Sequence, residues 1–196
     1  MTADRLHPRD ADRPARGVRA ILFADVRSFS KMDERECLCF FRCFHRGIEE
    51  CVLAPRAENV LVQNTWGDAL HVVMDNLAEA GRLALDLQEW MGHEDWGAHG
   101  LERAPTLRVG LHAGVVTRVE DPVIRAFNYI GRNTSKAARI EPIAFEGQVF
   151  ASGAYAALLA VENPPDLVLE YAGVRMLPKG AGEMPVFMLS RGGGRP

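Results

Sequence analysis

Two aspartates stand where a carboxylate is expensive unless something answers its charge. Asp25 sits in FADVRSF, closing a run of apolar residues, and Asp68 sits in NTWGDAL, at what reads as a hairpin tip. A carboxylate at the end of a buried strand is costly to desolvate without a partner. Two divalent cations about 3.5–4 Å apart would supply one, and would clamp the attacking and leaving oxygens of a phosphoryl transfer. The loop after Asp25 offers backbone N–H groups to a triphosphate, and the helix expected after it adds partial positive charge. The plainer alternative makes Asp25 a turn residue and Asp68 a hairpin residue, both common roles for aspartate. Each motif taken alone leaves that alternative ahead.

The elements that must position these residues follow from hydrophobic period and breakers. Residues 18–26 (VRAILFADV) form a short branched apolar run, a buried strand. SFSKMDEREC opens a helix on which Leu38, Phe41, Phe44, Ile48 and Val52 recur at helical spacing, ending before Pro55. Strands over 59–65 and 69–74 join through Trp66, Gly67 and Asp68 as a tight hairpin. A helix covers 77–91, a loop 93–104, and a strand 107–116 whose glycines predict a bulge or close backbone approach. Asp121 and Pro122 mark a turn. A helix over 131–140 stops at Pro142; a strand at 148–152, a helix at 154–161 and strands at 167–171, 174–177 and 186–189 complete the chain. The fold class expected is α+β, as one domain over 18–190 between a flexible leader (1–17) and a flexible tail (191–196).

Composition narrows the function classes. The chain has 196 residues, 47% hydrophobic and 25% charged, with a net charge of −3. That balance argues against a general nucleic-acid surface, which needs excess cations. No stretch approaches the ~20 apolar residues of a membrane span, and the N-terminus lacks a secretory h-region. Cys37, Cys39, Cys43 and Cys51 fall within one helical segment and read as packed, reduced thiols, which implies a cytoplasmic setting. GxSxG, Walker-type and GxGxxG signatures are absent. His112 reads as a core histidine bonded to backbone, Trp66 and Phe29 as packing residues, and His45 has no identifiable carboxylate partner.

Taken in order, five segments resemble the class III adenylate/guanylate cyclase catalytic domain. ILFADVRSFSKM is similar to the family's first metal strand and phosphate loop, which brings Phe29 to the substrate, and NTWGDALHVV to its metal-binding hairpin. LRVGLHAGVV is similar to the central strand, GRNTSKAARIEPIAFEGQVFAS to the catalytic helix and next strand, and LPKGAGEMPVFML to the closing hairpin. The resemblance implies a ferredoxin-like, mostly antiparallel sheet with flanking helices. It implies that Asp25 and Asp68, helped by the Val26 carbonyl, hold two Mn2+ or Mg2+ ions. Arg139 would neutralise the α-phosphate, and Lys179 would reach the terminal phosphates from the second subunit of a homodimer with composite sites. Without the resemblance, Arg139 is a solvated helix arginine and Lys179 a hairpin lysine.

Three positions depart from the family. Asn64 and Asn128 stand where adenylate cyclases commonly place lysine and aspartate or threonine; the guanylate pair, glutamate and cysteine, is also absent. Ser135 replaces an asparagine that supports the transition state. Arg125 is a further candidate base reader, or else a surface partner of Glu120 or Asp121. A small domain with a changed base pocket resembles the pyrimidine cyclases of bacterial Pycsar antiphage systems, which implies UTP, then CTP, as substrate and a separate effector that reads the cyclic product. The rivals are a cyclic AMP producer, a non-catalytic nucleotide-binding module, and an unrelated nucleic-acid or structural protein on a ferredoxin-like sheet.

Overall fold

Alternation along the first strand, β1 (Arg16–Arg27), sets up both faces of the sheet. Ala20, Leu22, Ala24 and Val26 point into the main core, whereas Ile21 and Phe23 join a smaller cluster on the opposite face. The period of two therefore puts Asp25 on the side away from the main core. In this computed structural model, which describes residues 15–193, one sheet of eight strands runs β2-β3-β1-β4-β6-β8-β7, with β5 paired to β4. The leader up to residue 14, the tail beyond residue 193 and the Cys51 side chain lie outside the described residues.

The remaining strands are β2 (Val60–Trp66), β3 (Ala69–Met74), β4 (Thr106–Asp121), β5 (Ala126–Ile130), β6 (Val149–Ser152), β7 (Leu167–Met176) and β8 (Glu183–Arg191). Pairing is antiparallel throughout except between β4 and β6. The helices are α1 (Glu34–Gly47), α2 (Leu77–His93), α3 (Arg132–Ala137) and α4 (Gly153–Glu162). Residues of α1, α2 and α4 pack with β1, β3 and β4 in the main core, while Ala137 of α3 lies in the smaller cluster. Among the described residues, no helix is long and apolar enough to cross a membrane.

Local chemistry accounts for the element ends. Asp33 accepts from the Glu36 N–H at 2.8 Å while the Glu36 carboxylate accepts from the Asp33 N–H, a reciprocal cap that starts α1. The apolar face of α1 is Phe40 and Phe44, continued by Ile48 and Val52. Steps of four residues drift by about 40° each on a 3.6-residue helix, and the chain corrects the drift by widening into a π-helical turn over Ile48–Leu53. Leu38 and Phe41, expected on that face, are 56% and 48% exposed because three-residue steps rotate the other way. Trp66 is also not a packing residue: it ends a strand at the sheet's edge and is 60% exposed.

Three more expectations change. β5 was not legible as a strand. Strands 167–171 and 174–177 are one strand, β7, with a register shift between Tyr171 and Gly173. The helix expected over 131–140 is only α3, followed by a turn and a 3-10 segment, Glu141–Ile143. The last is the change that shapes the site.

Candidate active site

Asp25 lies opposite Ala69 on β3 and opposite Arg108 on β4. Because paired residues point to one face, Arg108 projects beside Asp25, and its Nη2 donates to Asp25 Oδ2 at 2.9 Å. Asp68 precedes Ala69 in the two-residue turn of the β2–β3 hairpin. Gly67 takes the first central position with φ 66°, a conformation that glycine adopts without a Cβ clash. The two predicted carboxylates are thus brought together from distant stretches. Asp68 feels the contact: burial, then the charge of Asp25, raises its carboxyl above the usual value, against the opposing pull of its own backbone hydrogen bond and Arg108.

A third carboxylate joins them that the sequence reading missed. Glu141 is buried, and its Oε1 lies 2.9 Å from Arg108 Nε. The two atoms are close but form no aligned hydrogen bond, so the contact gives Coulomb attraction without directional bonding. Burial outweighs it, and with the charges of Asp25 and Asp68 the Glu141 carboxyl is pushed up to about 7. One guanidinium thus serves two carboxylates directly, with Asp68 beside them. Gly110 explains how Glu141 arrives there. A Cβ at Gly110 would lie 2.4 Å from the Glu141 nitrogen, so the Glu141 turn rests on bare β4 backbone. That is the close approach expected of the glycines in this strand.

The phosphate loop takes a different form from the one expected. Ser28 adopts a left-handed conformation (φ 65°), and a 3-10 turn, Phe29–Lys31, follows. The first N–H groups of such a turn have no intrahelical acceptor and remain available to an anion. The N-terminus of α1 is instead engaged by Asp33 and carries Glu34 and Glu36 in its first turn, so it adds no free positive end. Phe29 packs on Phe40 with ring centroids 5.4 Å apart, and Val26 buries its side chain in the main core. The His45 Nε2 meets the Gly67 carbonyl at 2.8 Å, tying α1 to the turn that carries Asp68.

Asn64 lies opposite His71, which lies opposite Phe23, so all three share the face of Asp25. The His71 and Phe23 rings stack with centroids 4.4 Å apart. Burial holds the imidazole neutral, its pKa lowered to about 4. His71 Nδ1 is 3.5 Å from the Asn64 amide nitrogen, and its Nε2 is buried without a partner. Asn128 sits on β5, where its Oδ1 accepts from the Tyr129 N–H at 2.8 Å; β5 approaches β2, with Tyr129 and Val62 sharing the smaller cluster, but no hydrogen bond joins Asn128 to Asn64. Arg125 is exposed at the turn before β5 with φ 53° and forms no ion pair with Glu120 or Asp121. Asp121 accepts from the Val123 N–H instead.

Arg139 is half-buried in the turn after α3 and makes no side-chain hydrogen bond or ion pair with any described residue. Ser135 lies four residues earlier and is exposed. Lys179 is exposed in the β7–β8 turn at φ 58°. In the sheet order, β4 and β6 separate β8 from β1, so a single chain does not bring Lys179 to Asp25. His112 is a core histidine, as expected, but its partners are side chains: Ser152 Oγ at 2.7 Å and Asn133 Oδ1 at 3.0 Å.

Comparison with known proteins agrees with this layout. Receptor-type adenylate cyclase B of Leishmania donovani is 27% identical over 75% of the chain, which spans only 13% of that protein's length. A solved adenylate cyclase of Trypanosoma brucei, described in its monomeric state, superposes with a TM-score of 0.76 at 20% identity, covering 91% of this chain and 90% of that one. The non-canonical dimeric guanylyl cyclase domain of the RhoGC fusion protein from Blastocladiella emersonii gives 0.73 at 17% identity over 90% and 98%. At those identities the structural likeness speaks for the fold. The profile of the adenylate and guanylate cyclase catalytic domain matches residues 15–191, from the start of β1 to the end of β8, and the chain belongs to that family.

Proposed function

We propose that the chain cyclises a ribonucleoside triphosphate, UTP by preference, to the 3′,5′-cyclic monophosphate and pyrophosphate. The observation that carries the reading is a charge deficit: Asp25, Asp68 and Glu141 converge around the single guanidinium of Arg108. Oxygen donors in such a cluster suit hard divalent cations, so the residues present fit the metals the family implies. Asp25 and Asp68 would hold Mn2+ or Mg2+, with the Val26 carbonyl alongside. When bound, such ions supply Lewis acidity to the ribose 3′-hydroxyl and to the phosphates.

The protein groups do the positioning. The free N–H groups of the 3-10 turn at Phe29 receive phosphate oxygens. Arg139, whose side chain bonds to no described residue, meets the charge on the α-phosphate, and the Ser135 hydroxyl donates one further hydrogen bond. The 3′-oxygen attacks the α-phosphorus and gives its proton to solvent. The bond from the α-phosphorus to the bridging oxygen breaks, and pyrophosphate leaves with the electron pair. Lys179 reaches the terminal phosphates from a second copy, in a homodimer with two composite sites.

Uracil is favoured because Asn64 presents one acceptor and one donor in a plane, matching its N3–H and O4, beside a neutral, apolar-stacked His71. In the setting implied by the resemblance to pyrimidine cyclases, the cyclic nucleotide is a second messenger of antiphage defence read by a separate effector. A second reading, cyclic AMP production, draws on the names of the curated relatives and on the same amide, which also matches the adenine edge.

Incubation with each of the four ribonucleoside triphosphates and Mn2+, followed by mass spectrometry of the products, tests both readings. Cyclic UMP as the main product is expected, lost in Asp25→Asn without loss of folding. Dominant cyclic AMP refutes the base assignment. Metal-dependent triphosphate binding with no cyclic product from any of the four refutes catalysis and leaves a binding module.

A further inference from the structure

On the flank of α1, where Cys43 packs against the edge of the main core, three donors of different chemistry meet. Cys43 comes from the third turn of α1, Glu94 from the C-cap of α2, and His99 from the loop beyond it. One sulfur, one carboxylate oxygen and one imidazole nitrogen from these residues all lie within 4.8 Å of one another. Cys43 and Glu94, both half-buried, and the more exposed His99 stand on the wall of an open cavity of about 530 Å3, which Cys39, Arg42 and Arg46 also line. Their position within one helical segment made the cysteines read as packed thiols; the fold supplies two partners for Cys43 from residues 94–99.

The loop that brings them is built, not incidental. Trp96 is buried and donates its indole N–H to the Met91 carbonyl at 2.9 Å. The His99 and Leu101 N–H groups both bond back to the Trp96 carbonyl, at 3.2 and 3.0 Å. This tight ring of bonds folds His99 over Glu94, and His99 Nε2 meets Glu94 Oε1 at 2.8 Å. The His99 ring also meets the edge of Trp96. A rigid platform of this kind holds ligand atoms near their final positions before any ion arrives.

We propose that Cys43, Glu94 and His99 form a binding site for a zinc-class divalent cation, separate from the carboxylate cluster of the active site. A thiolate, an imidazole and a carboxylate are the donor set of tetrahedral Zn2+, and the thiolate disfavours the Mg2+ and Mn2+ that oxygen clusters take. Bond lengths of about 2.0–2.3 Å put tetrahedral ligand atoms about 3.3–3.8 Å apart, so the observed cluster needs side-chain closure of about 1 Å. On binding, the Cys43 thiol loses its proton to solvent, His99 coordinates through Nε2 with its proton on Nδ1, and the short contact to Glu94 opens to admit the ion. Water from the open cavity takes the fourth position.

Cobalt serves as the probe, on the full chain after stripping with a chelator. One equivalent of Co2+ is expected to give tetrahedral d–d bands and a near-ultraviolet thiolate-to-cobalt band, both erased by stoichiometric Zn2+. Cys43→Ser abolishes the thiolate band, and Glu94→Gln and His99→Ala each weaken Co2+ binding about 10-fold or more. Asp25→Asn and Cys39→Ser leave the band intact. Circular dichroism checks each variant's fold; should Cys43→Ser not fold, Glu94→Gln and His99→Ala decide the matter. Absence of the thiolate band in the unaltered chain overturns the proposal, as does its survival in folded Cys43→Ser, or its loss in Asp25→Asn or Cys39→Ser.

Discussion

Replacing Arg108 with methionine removes the one cation among the described residues that touches both Asp25 and Glu141 while keeping a long side chain on β4. Removing one member of a buried ion pair costs about 3–5 kcal/mol. Here the Asp25 side chain is 32% exposed against 17% for Arg108 and 11% for Glu141, so water softens the loss, and roughly 2–4 kcal/mol is expected at pH 8. Glu141 sets the pH dependence. Its folded pKa, about 7, lies above the ordinary 4.5, so the folded chain binds more protons than the unfolded chain between those values. Stability therefore falls as pH rises from 4.5 and levels off above 7. Without Arg108 the Glu141 pKa moves higher still, and the decline continues past pH 7 where the unaltered protein has levelled. The gap between the two proteins thus widens from pH 6 to pH 8. Thermal unfolding in the presence of a chelator reads it, at about 2–4 °C per kcal/mol for a domain this size. Adding Mn2+ at pH 8 narrows the gap by supplying positive charge to the same carboxylates. An equal gap at pH 6 and pH 8 would refute the charge-deficit argument.

Two further outcomes follow from the same geometry. Gly110→Ala would put a Cβ 2.4 Å from the Glu141 nitrogen and 2.9 Å from its Cα; the forced shift costs about 1–3 kcal/mol and, by moving the turn that carries Arg139, lowers kcat about 10-fold or more. Gly92→Ala, with nothing within 4 Å of its added Cβ, is the control for both readings. His71 acts on stability in the opposite sense to Glu141: its folded pKa of about 4 lies below the ordinary 6.5, so the unfolded chain binds more protons in between. Its contribution is present above pH 6.5 and is lost as pH falls toward 4, on the order of 3 kcal/mol in all. Urea unfolding of the unaltered chain and of His71→Leu isolates it, and equal changes in stability from pH 7 to pH 5 in the two proteins would count against the assignment.

Much of the fold was legible because its signals are local. The apolar run before Asp25 and the turn at Gly67 place two strands and a hairpin with little help from the rest of the chain. The misreadings share a cause in three dimensions. Phe40 was passed over for Leu38 and Phe41 because a window of apolar residues admits several faces, and only the core on β1 and β4 selects among them. β5 escaped because its sequence, AFNYI, lies outside any breaker-bounded apolar run; its partner is the far end of β4, a strand that extends to Asp121, well past the expected end at residue 116.

The site divides along the same line. Asp25 and Asp68 could be singled out because a carboxylate beside an apolar run is anomalous within its own few residues. Arg108 and Glu141 are anomalous only once β4 is paired to β1 and the turn after α3 is laid on Gly110, since a lone arginine in LRVGL and a lone glutamate in RIEPI suggest no chemistry. The glycine in LRVGL was the available signal: a strand glycine demands that something come close, and what comes close is the backbone of the third carboxylate. The same reasoning separates the two metal proposals. An all-oxygen cluster around one guanidinium and a sulfur, nitrogen and oxygen cluster on the helix behind it select different ions by donor chemistry. Occupation of one site by Mn2+ and the other by Zn2+ therefore does not require the two to compete.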